Sequence, residues 1–294
     1  MSRYLDPKND LVFKKIFGGH PDLLKSFLNA VLPLPDHCQI ERLEYLPSEQ
    51  VPAIPVLKRP IVDVKCRDTQ GKIFIVEMQV EWTDSFKQRL LLNAASAYVR
   101  QLMKGEEYKL LNPVYGLALV NHNFDLDPLQ WYHHYAMVKM GDPQQMIEGL
   151  TLIFVELKKF PVKTANEKRL KILWLRFLRE LSDQTSEVSP ELLEIPEISK
   201  AIALAEESKY TLAELESYDR YWDSISCEKS LLSGRFAEGK AEGKAEGFAE
   251  GEAKGKAESL AELVKRMKQQ NYSLDQITSL TGMSSQMIES LLKK

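Results

Sequence analysis

The 294-residue sequence has no apolar run long enough to span a bilayer, and its opening stretch, MSRYLDPKND, lacks the apolar segment of a signal peptide. Its three cysteines, Cys38, Cys66 and Cys227, are far apart and odd in number. This spacing indicates neither a disulfide framework nor a zinc knuckle. We therefore expect a cytoplasmic protein whose thiols stay reduced.

A basic excess, which is frequent in nucleic-acid binders, is also missing, because the formal net charge is −3. Short basic clusters such as Lys14-Lys15 and Lys158-Lys159 are typical of solvated surfaces, so charge neither indicates nor excludes nucleic acid as a partner. Hydrophobic content of 44% and charged content of 28% are ordinary for a globular protein. The length suits one large domain with an appendage.

Residues 61–82, IVDVKCRDTQGKIFIVEMQVEW, alternate with period two and predict two strands joined by a tight turn. One face of the second strand is wholly apolar, whereas the other begins with isoleucine and ends with acids. Gly71 suits the left-handed position of a three-residue loop over 69–71. That loop pairs Asp68 with Lys72, and the register then places Asp63 directly across from Glu77.

Facing carboxylates on one side of a strand pair would lie roughly 5 Å apart, and like charges there are destabilising. A divalent cation with oxygen ligands would offset the repulsion between Asp63 and Glu77. The alternative is that both acids simply line the solvent face of a half-buried hairpin. Alternation and register leave both interpretations open.

Asp63, followed after a hairpin by Glu77, Met78 and Gln79, resembles the core of the PD-(D/E)XK nucleases. The pattern is most similar to the recombination-promoting nuclease (Rpn) branch, often labelled PD-(D/E)XK nuclease family transposase. The stretch DLVFKKIFG from Asp10 resembles the opening helix of that branch. The helix after the hairpin and three later segments around 113–121, 131–135 and 154–160 also resemble it, so the likeness covers roughly residues 1–230.

The resemblance implies an α/β fold, a restriction-endonuclease-like mixed sheet flanked by helices, with a C-terminal helical extension. It also implies metal-assisted hydrolysis of DNA phosphodiester bonds. Asp63 and Glu77 would hold Mg²⁺ or another divalent cation. Asp10 is either a third acid near the metal or a charge favoured in the first turn of its helix by the helix dipole.

The sequence departs from the wider superfamily at Val62, which replaces the proline, and at Gln79, which replaces the catalytic lysine. Gln79 can orient the attacking water by hydrogen bonding but, being neutral, cannot stabilise developing charge. Strand geometry puts Lys65 on the face of Asp63, and we expect its ammonium to supply the missing positive charge. These four polar positions, Asp63, Glu77, Gln79 and Lys65, form the predicted catalytic set.

Tyr98 and Gln101 occupy adjacent positions on the helix after the hairpin, and we expect them to touch the DNA substrate. Core packing is the alternative for the tyrosine. His133 and His134 are neighbours on a predicted extended segment, so their side chains point oppositely and cannot easily share one metal ion.

We expect the sheet to be built on the hairpin, with strands near 40–46, 114–120 and 150–157. Helices are predicted over 10–28, 85–104 and 166–181, with the stretch 198–232 largely helical. The predicted organisation is a nuclease core over 1–160, a helical part over 161–233, a glycine repeat over 234–262 and a small module over 263–294.

In the repeat, Gly239, Gly243, Gly247, Gly251 and Gly255 recur every fourth residue. Each glycine costs about 1 kcal/mol against alanine inside a helix, so we expect this stretch to be helical only when packed, most simply against another copy. A flexible tether is the alternative. The closing module resembles a helix-turn-helix around Gly282 but has few basic residues, which favours an interaction module over a DNA reader.

Two other functions compete with the nuclease. A protein with a degenerate nuclease fold could act through its helical tail alone, although the intact set of Asp63, Glu77 and Gln79 argues against degeneration. A transposase that joins DNA ends rests on the family label alone.

Overall fold

The computed structural model describes residues 3–47, 63–83, 85–161 and 168–292. The prolines of residues 48–60 predict an irregular or extended chain there, but this stretch, together with Ile61 and Val62, lies outside the described residues. The beginning of the helix predicted from Asn166 does so too. The chain divides into two compact units, Met1–Ile225 and Ser226–Lys294. None of the described helices is both long and apolar enough to cross a membrane.

The strands of the first unit are β1 Leu43–Tyr45, β2 Val64–Asp68, β3 Ile73–Gln79, β4 Val114–Val120, β5 Tyr132–Lys139 and β6 Asp142–Glu156. Among the described residues they form one mixed sheet in the order β1-β2-β3-β4-β6-β5. Strands β3, β4 and β6 are parallel, whereas β1, β2 and β5 join their neighbours antiparallel. The predicted mixed sheet on the hairpin is therefore confirmed.

The helices are α1 Asp10–Phe13, a π-helical turn Lys14–Gly18, α2 Pro21–Val31, α3 Phe86–Val99, α4 Arg169–Glu180, α5 Pro190–Leu193, α6 Pro196–Leu204 and α7 Leu212–Gln269. The prediction that the helix after the hairpin reaches residue 104 was wrong, because α3 ends at Val99. Beyond the helix, the Gln101 side chain bonds both backbone groups of Asn112, at 2.8 Å each.

The two faces of β3 belong to different cores, as its alternation predicts. Ile73 and Ile75 pack with Phe86 and Leu90 of α3. On the opposite face, Phe74, Val76 and Met78 join a larger core built with α1, α2 and α4. Its centre is an aromatic cluster of Phe13, Phe17, Phe27 and Trp174.

The helical spacing of Leu90, Leu91, Ala94, Tyr98 and Leu102 predicts one apolar stripe on the helix after the hairpin. Leu91 departs from that prediction, since it is 46% exposed. Asn93 is buried instead, beside the apolar Leu90, Ala94 and Ala97. A buried amide among apolar residues needs a hydrogen-bond partner, and that partner turns out to be an acid of the sheet.

The boundary between the two units falls within α7. In the second unit, α8 Leu274–Thr281 and α9 Ser285–Leu292 follow α7 and close a small core of Val264, Ile277 and Ile288. Ser273 and Gln276 form a capping box, and Gly282 ends α8 with a left-handed φ of 69°. The two short helices joined at Gly282 are thus confirmed.

The glycine repeat lies inside the continuous helix α7. A Cβ added at any of its five glycines would meet no atom within 4 Å apart from the helix's own backbone. The expected need for packing against another copy stays a prediction. The intervening alanine, glutamate and lysine residues favour helix, and ion pairs such as Glu252–Lys256 add to it one turn apart.

Candidate active site

The hairpin brings Asp63 and Glu77 together in the predicted register. Val64 pairs with Val76 and Lys65 with Ile75, so the same register continued by one residue sets Asp63 across from Glu77. The turn is as expected, with Gly71 at φ 86°. The Asp68 carboxylate accepts the backbone N–H groups of Gln70 and Lys72, each at 2.9 Å, which fixes the loop.

Asp63 lies just before β2 and is anchored to the neighbouring strand. Its Oδ2 accepts a 2.8 Å hydrogen bond from the backbone N–H of Met78. Its Oδ1 lies 3.6 Å from Nζ of Lys14. Lys14 is also 2.7 Å from Oδ1 of Asp10, so this lysine stands between two acids. The sequence offered a signal for the Asp10–Lys14 pair, since the residues are one helical turn apart.

Asp10 is therefore placed near Asp63, with Lys14 between them. The N-cap of α1 is Asn9, whose side chain accepts the N–H of Leu11, and Asp10 occupies the first turn. Both interpretations of Asp10 thus have a structural basis: it lies where the helix dipole favours an acid, and it reaches the neighbourhood of Asp63. Its role as a metal ligand stays a prediction.

Glu77 projects from β3 toward α3 and is 4% exposed. Its Oε1 accepts a 2.5 Å hydrogen bond from Nδ2 of Asn93, and its Oε2 lies 3.7 Å from a guanidinium nitrogen of Arg89. Asn93 and Arg89 are four residues apart on α3 and so share one flank of the helix. Sequence reasoning missed both residues, although their spacing and polarity beside an inward stripe were a usable signal.

The electrostatics of the two acids are those of buried carboxylates. Burial is the main cause that raises the pKa of Asp63 to about 6; the charges of Asp10 and Glu77 act in the same direction, and the Met78 N–H and Lys14 oppose them. Burial also raises the pKa of Glu77, while Asn93 and Arg89 oppose that change. The cations and donors nearby therefore do not fully offset the cost of charging the pair.

Gln79 lies at the end of β3, two residues beyond Glu77. Its Nε2 donates to the backbone oxygen of Glu81, and its Oε1 accepts a 2.5 Å hydrogen bond from Arg89. Both ends of the amide are thus engaged, one by the strand that follows and one by α3. The structure links Gln79 to Arg89, which was not predicted, and the catalytic role of Gln79 stays a prediction.

Lys65 lies on β2 opposite Ile75. Burial lowers the pKa of Lys65, and the positive charges of Arg100 and Arg67 lower it further. Two of the charges near Lys65 are thus cations, Arg67 on β2 and Arg100 just after α3, whereas Arg89 lies 3.7 Å from Glu77. The proposed role of Lys65 as the positive charge of the site stays a prediction with little geometric support.

Tyr98 and Gln101 are committed to packing and to the backbone. Tyr98 packs against the core under α3, and its hydroxyl lies over Gly149, 3.4 Å from the position that a Cβ there would take. Gln101 holds the backbone of Asn112 through both ends of its amide. Their predicted contact with substrate stays untested, and these partners provide a structural role for each.

A tyrosine from the start of α7, Tyr221, lies near the same acids. Burial raises the pKa of its hydroxyl, and the negative charges of Asp10 and Asp63 add to that effect. Its ring packs edge-on against Trp222 at 5.3 Å between centroids. Tyr221 is distant in sequence from these acids, so no local sequence pattern predicted that it would lie near them.

The two histidines differ in environment, as strand alternation predicts. His133 is buried and its Nε2 lies 2.7 Å from Oε1 of Glu156, while His134 is exposed. Glu156 is fully buried and also meets Lys159 at 3.1 Å. Lys159 in turn bonds backbone oxygens of Asp125 and Asp127 at 2.7 and 2.9 Å. This network ties the loop after β4 to the sheet and is structural.

Within the described ranges, no group of three or more histidine, cysteine, aspartate or glutamate side chains is arranged to hold a metal ion. The residues present still fit a hard cation of the Mg²⁺ type, which needs one or two carboxylates and keeps several waters. Asp63 and Glu77 provide two carboxylates on one hairpin, and their raised pKa values show that added positive charge would be favourable there.

A mixed sheet with helices on both faces, carrying paired acids on a hairpin beside the parallel strands, defines a protein of the PD-(D/E)XK nuclease class. The family model described as PD-(D/E)XK nuclease family transposase matches residues 7–233. The chain belongs to this family. Comparison with curated proteins and with solved structures gave no significant match.

Proposed function

We propose that this chain is a metal-dependent DNA endonuclease that hydrolyses phosphodiester bonds, of the recombination-promoting type. The observation that carries the proposal is the pair of carboxylates, Asp63 and Glu77, held in register on one hairpin among cationic side chains. Family membership supports nucleic acid as the substrate and a divalent cation as the cofactor.

Asp63 and Glu77 would hold the cation through their carboxylate oxygens. When bound, it supplies Lewis-acid polarisation of the phosphoryl group and a water of lowered pKa. The chain's own residues position these acids. The Met78 N–H fixes Asp63, and the Asn93 amide fixes one oxygen of Glu77. Gln79 follows Glu77 by two residues on β3, and its amide is held by Arg89 and the Glu81 carbonyl, where it would border the substrate.

A plasmid-nicking assay tests the proposal. Purified protein should convert supercoiled DNA to open circles in Mg²⁺ and should not do so in excess chelator. Asp63→Asn and Glu77→Gln should abolish nicking. Glu44→Gln, which removes an exposed acid of β1 in the same sheet, is the matched control and should keep wild-type activity. Full nicking by either site variant would mean that the two acids are not the catalytic centre.

A further inference from the structure

Hydrolysis of a phosphodiester places negative charge on the phosphoryl oxygens and on the leaving oxygen. A water oxygen forms a bond to phosphorus, the ester P–O bond breaks, and one proton of the water ends on the leaving oxygen. A positively charged donor aimed at the developing charge lowers the barrier. Which side chain of this protein supplies that donor is a separate question from which acids hold a cation.

Lys14 is poorly suited to the task. Its ammonium lies between Asp10 and Asp63, at 2.7 and 3.6 Å, and is already shared by two carboxylates. Although burial lowers the pKa of Lys14, the two acids raise it above the usual value. This lysine is therefore held as a counter-charge of the acids, on the α1 side of the hairpin.

Arg89 is placed differently. One of its guanidinium nitrogens donates to Oε1 of Gln79 at 2.5 Å and lies 3.7 Å from Oε2 of Glu77. The guanidinium carbon lies 4.6 Å from the centre of the Phe86 ring. These contacts hold the planar group beside Glu77, and the geometry is that of a guanidinium resting on an aromatic surface.

The side chain of Arg89 is nevertheless 50% exposed, whereas that of Glu77 is 6% exposed. One nitrogen of the guanidinium thus contacts Gln79 and Glu77, while half of the side chain is open to solvent. Because guanidinium carries five N–H donors in a fixed fork, this arrangement leaves donors for a phosphate oxygen that approaches Glu77 from outside.

Gln79 sets the position of the Arg89 guanidinium. Its amide is fixed at one end by the Glu81 carbonyl, so its Oε1 offers Arg89 an acceptor in a defined place. A neutral side chain at the end of β3 therefore acts on a cation that comes from α3. Position 79 also lies close enough to the guanidinium that a lysine placed there would bring an ammonium into the same region.

We propose that Arg89 is the cationic catalytic residue of this site, contacting the scissile phosphate, and that Gln79 is its positioning residue. This inference rests on the proposed nuclease function and specifies which side chain supplies the positive charge. It assigns that role to Arg89 in place of Lys65, because Arg89 lies 3.7 Å from Glu77 and donates to Gln79.

The test measures Mg²⁺-dependent cleavage of a labelled DNA duplex under single-turnover conditions, together with DNA binding in Ca²⁺. Arg89→Met should lower the cleavage rate by about 100-fold or more, the loss typical of removing one charge-stabilising donor. Its DNA affinity should change far less than its rate. Arg100→Met removes an exposed arginine just beyond α3 and should keep the wild-type rate.

Two rescues separate a catalytic role from a structural one. Methylguanidinium added to Arg89→Ala should restore part of the rate in a saturable way and should leave Arg100→Met unaffected. Gln79→Lys in the Arg89→Met background should raise the rate at least about 10-fold above Arg89→Met alone, because the ammonium enters the vacated region. A folding defect would respond to neither, and the thermal midpoint of each variant is measured alongside.

The outcomes distinguish the inference from the function beneath it. If wild type cleaves, Asp63→Asn does not, and Arg89→Met cleaves at the wild-type rate, the nuclease stands and the inference is overturned. Loss in Arg89→Met with no rescue of either kind also overturns it, since Arg89 would then be structural. Absence of cleavage by wild type overturns both.

Discussion

The backbone N–H of Met78 donates a 2.8 Å hydrogen bond to the carboxylate of Asp63. Asp63 precedes β2, yet this bond fastens it to β3 between Glu77 and Gln79. The backbone of one strand thus sets the position of an acid from the next. The bond fixes the Asp63 carboxylate at the backbone next to Glu77, whose charge is among those that raise the pKa of Asp63.

The first prediction concerns how the charge of Asp63 affects folding. With a folded-state pKa of about 6 against a usual value of 3.8, ionisation of Asp63 is less favourable in the folded protein than in the unfolded chain. The stabilising contribution of the protonated form is fully present below pH 3.8 and is lost as pH rises through about 6. The usual direction for an aspartate is the opposite.

Asp63→Asn removes this titration. The free energy of unfolding of Asp63→Asn minus that of wild type, both without metal, should therefore rise by about 2 kcal/mol between pH 4 and pH 7.5. Urea titrations at four pH values measure the difference, and the subtraction cancels the other titrating groups. A difference that stays flat across the range would mean that Asp63 has an ordinary pKa.

The second prediction concerns Asn93, whose amide donates to the buried carboxylate of Glu77. Asn93→Leu keeps the approximate volume and removes the donor, so it should destabilise the protein by about 1–3 kcal/mol, the cost of leaving a buried polar group short of a partner. Gln88→Leu, at an exposed position of α3, should change stability by less than about 0.5 kcal/mol. Equal losses of stability in the two variants would mean that the hydrogen bond from Asn93 to Glu77 does not stabilise the protein.

The features of this site that the sequence predicted are those that depend on neighbouring residues along the chain. The hairpin, Gly71 and the pairing of Asp63 with Glu77 depend on alternation and turn chemistry, which are local. Arg89, Asn93 and Lys14 stand in local helical patterns that the sequence shows, but their contacts with the acids depend on how the helices are rotated over the sheet. The error at Leu91 has the same origin: hydrophobicity alone favoured it for the core, while the buried Glu77 requires Asn93 on that face. The role predicted for Lys65 rests on strand alternation alone, which does not fix where the end of a long side chain lies.

The third prediction concerns the glycine repeat. If its bare stripe is a surface for another copy, a chain that ends at Ser233 should be smaller by more than the deleted mass in light scattering, because the full chain would be an oligomer. Equal oligomeric states of the full and shortened chains would end this hypothesis.

A second form of that test keeps the chain length. Changing the five glycines together to alanine should raise helix content, since each change favours helix by about 1 kcal/mol and a Cβ at these positions meets nothing within 4 Å in one chain. Self-association should nevertheless weaken, because the added methyl groups keep a second helix at a distance. Stronger association in the alanine variant would show that helix stability, and not close approach, controls assembly.

The last prediction uses a second buried acid to separate a functional pair from a structural one. Glu156 is fully buried and meets Lys159, whose side chain is 6% exposed, at 3.1 Å. Glu156→Gln leaves that lysine without its charged partner and should destabilise the protein by about 3–5 kcal/mol, the cost typical of breaking a buried ion pair.

Glu77→Gln also removes a buried carboxylate, but the residue facing it, Arg89, is half exposed and stays solvated. Glu77→Gln should therefore leave stability without metal unchanged or slightly raised, and it should remove the increase in thermal midpoint that Mg²⁺ gives to wild type. Thermal melts of both variants with and without Mg²⁺ compare them directly. A loss of stability in Glu77→Gln as large as that in Glu156→Gln would place Glu77 among the structural acids of the fold.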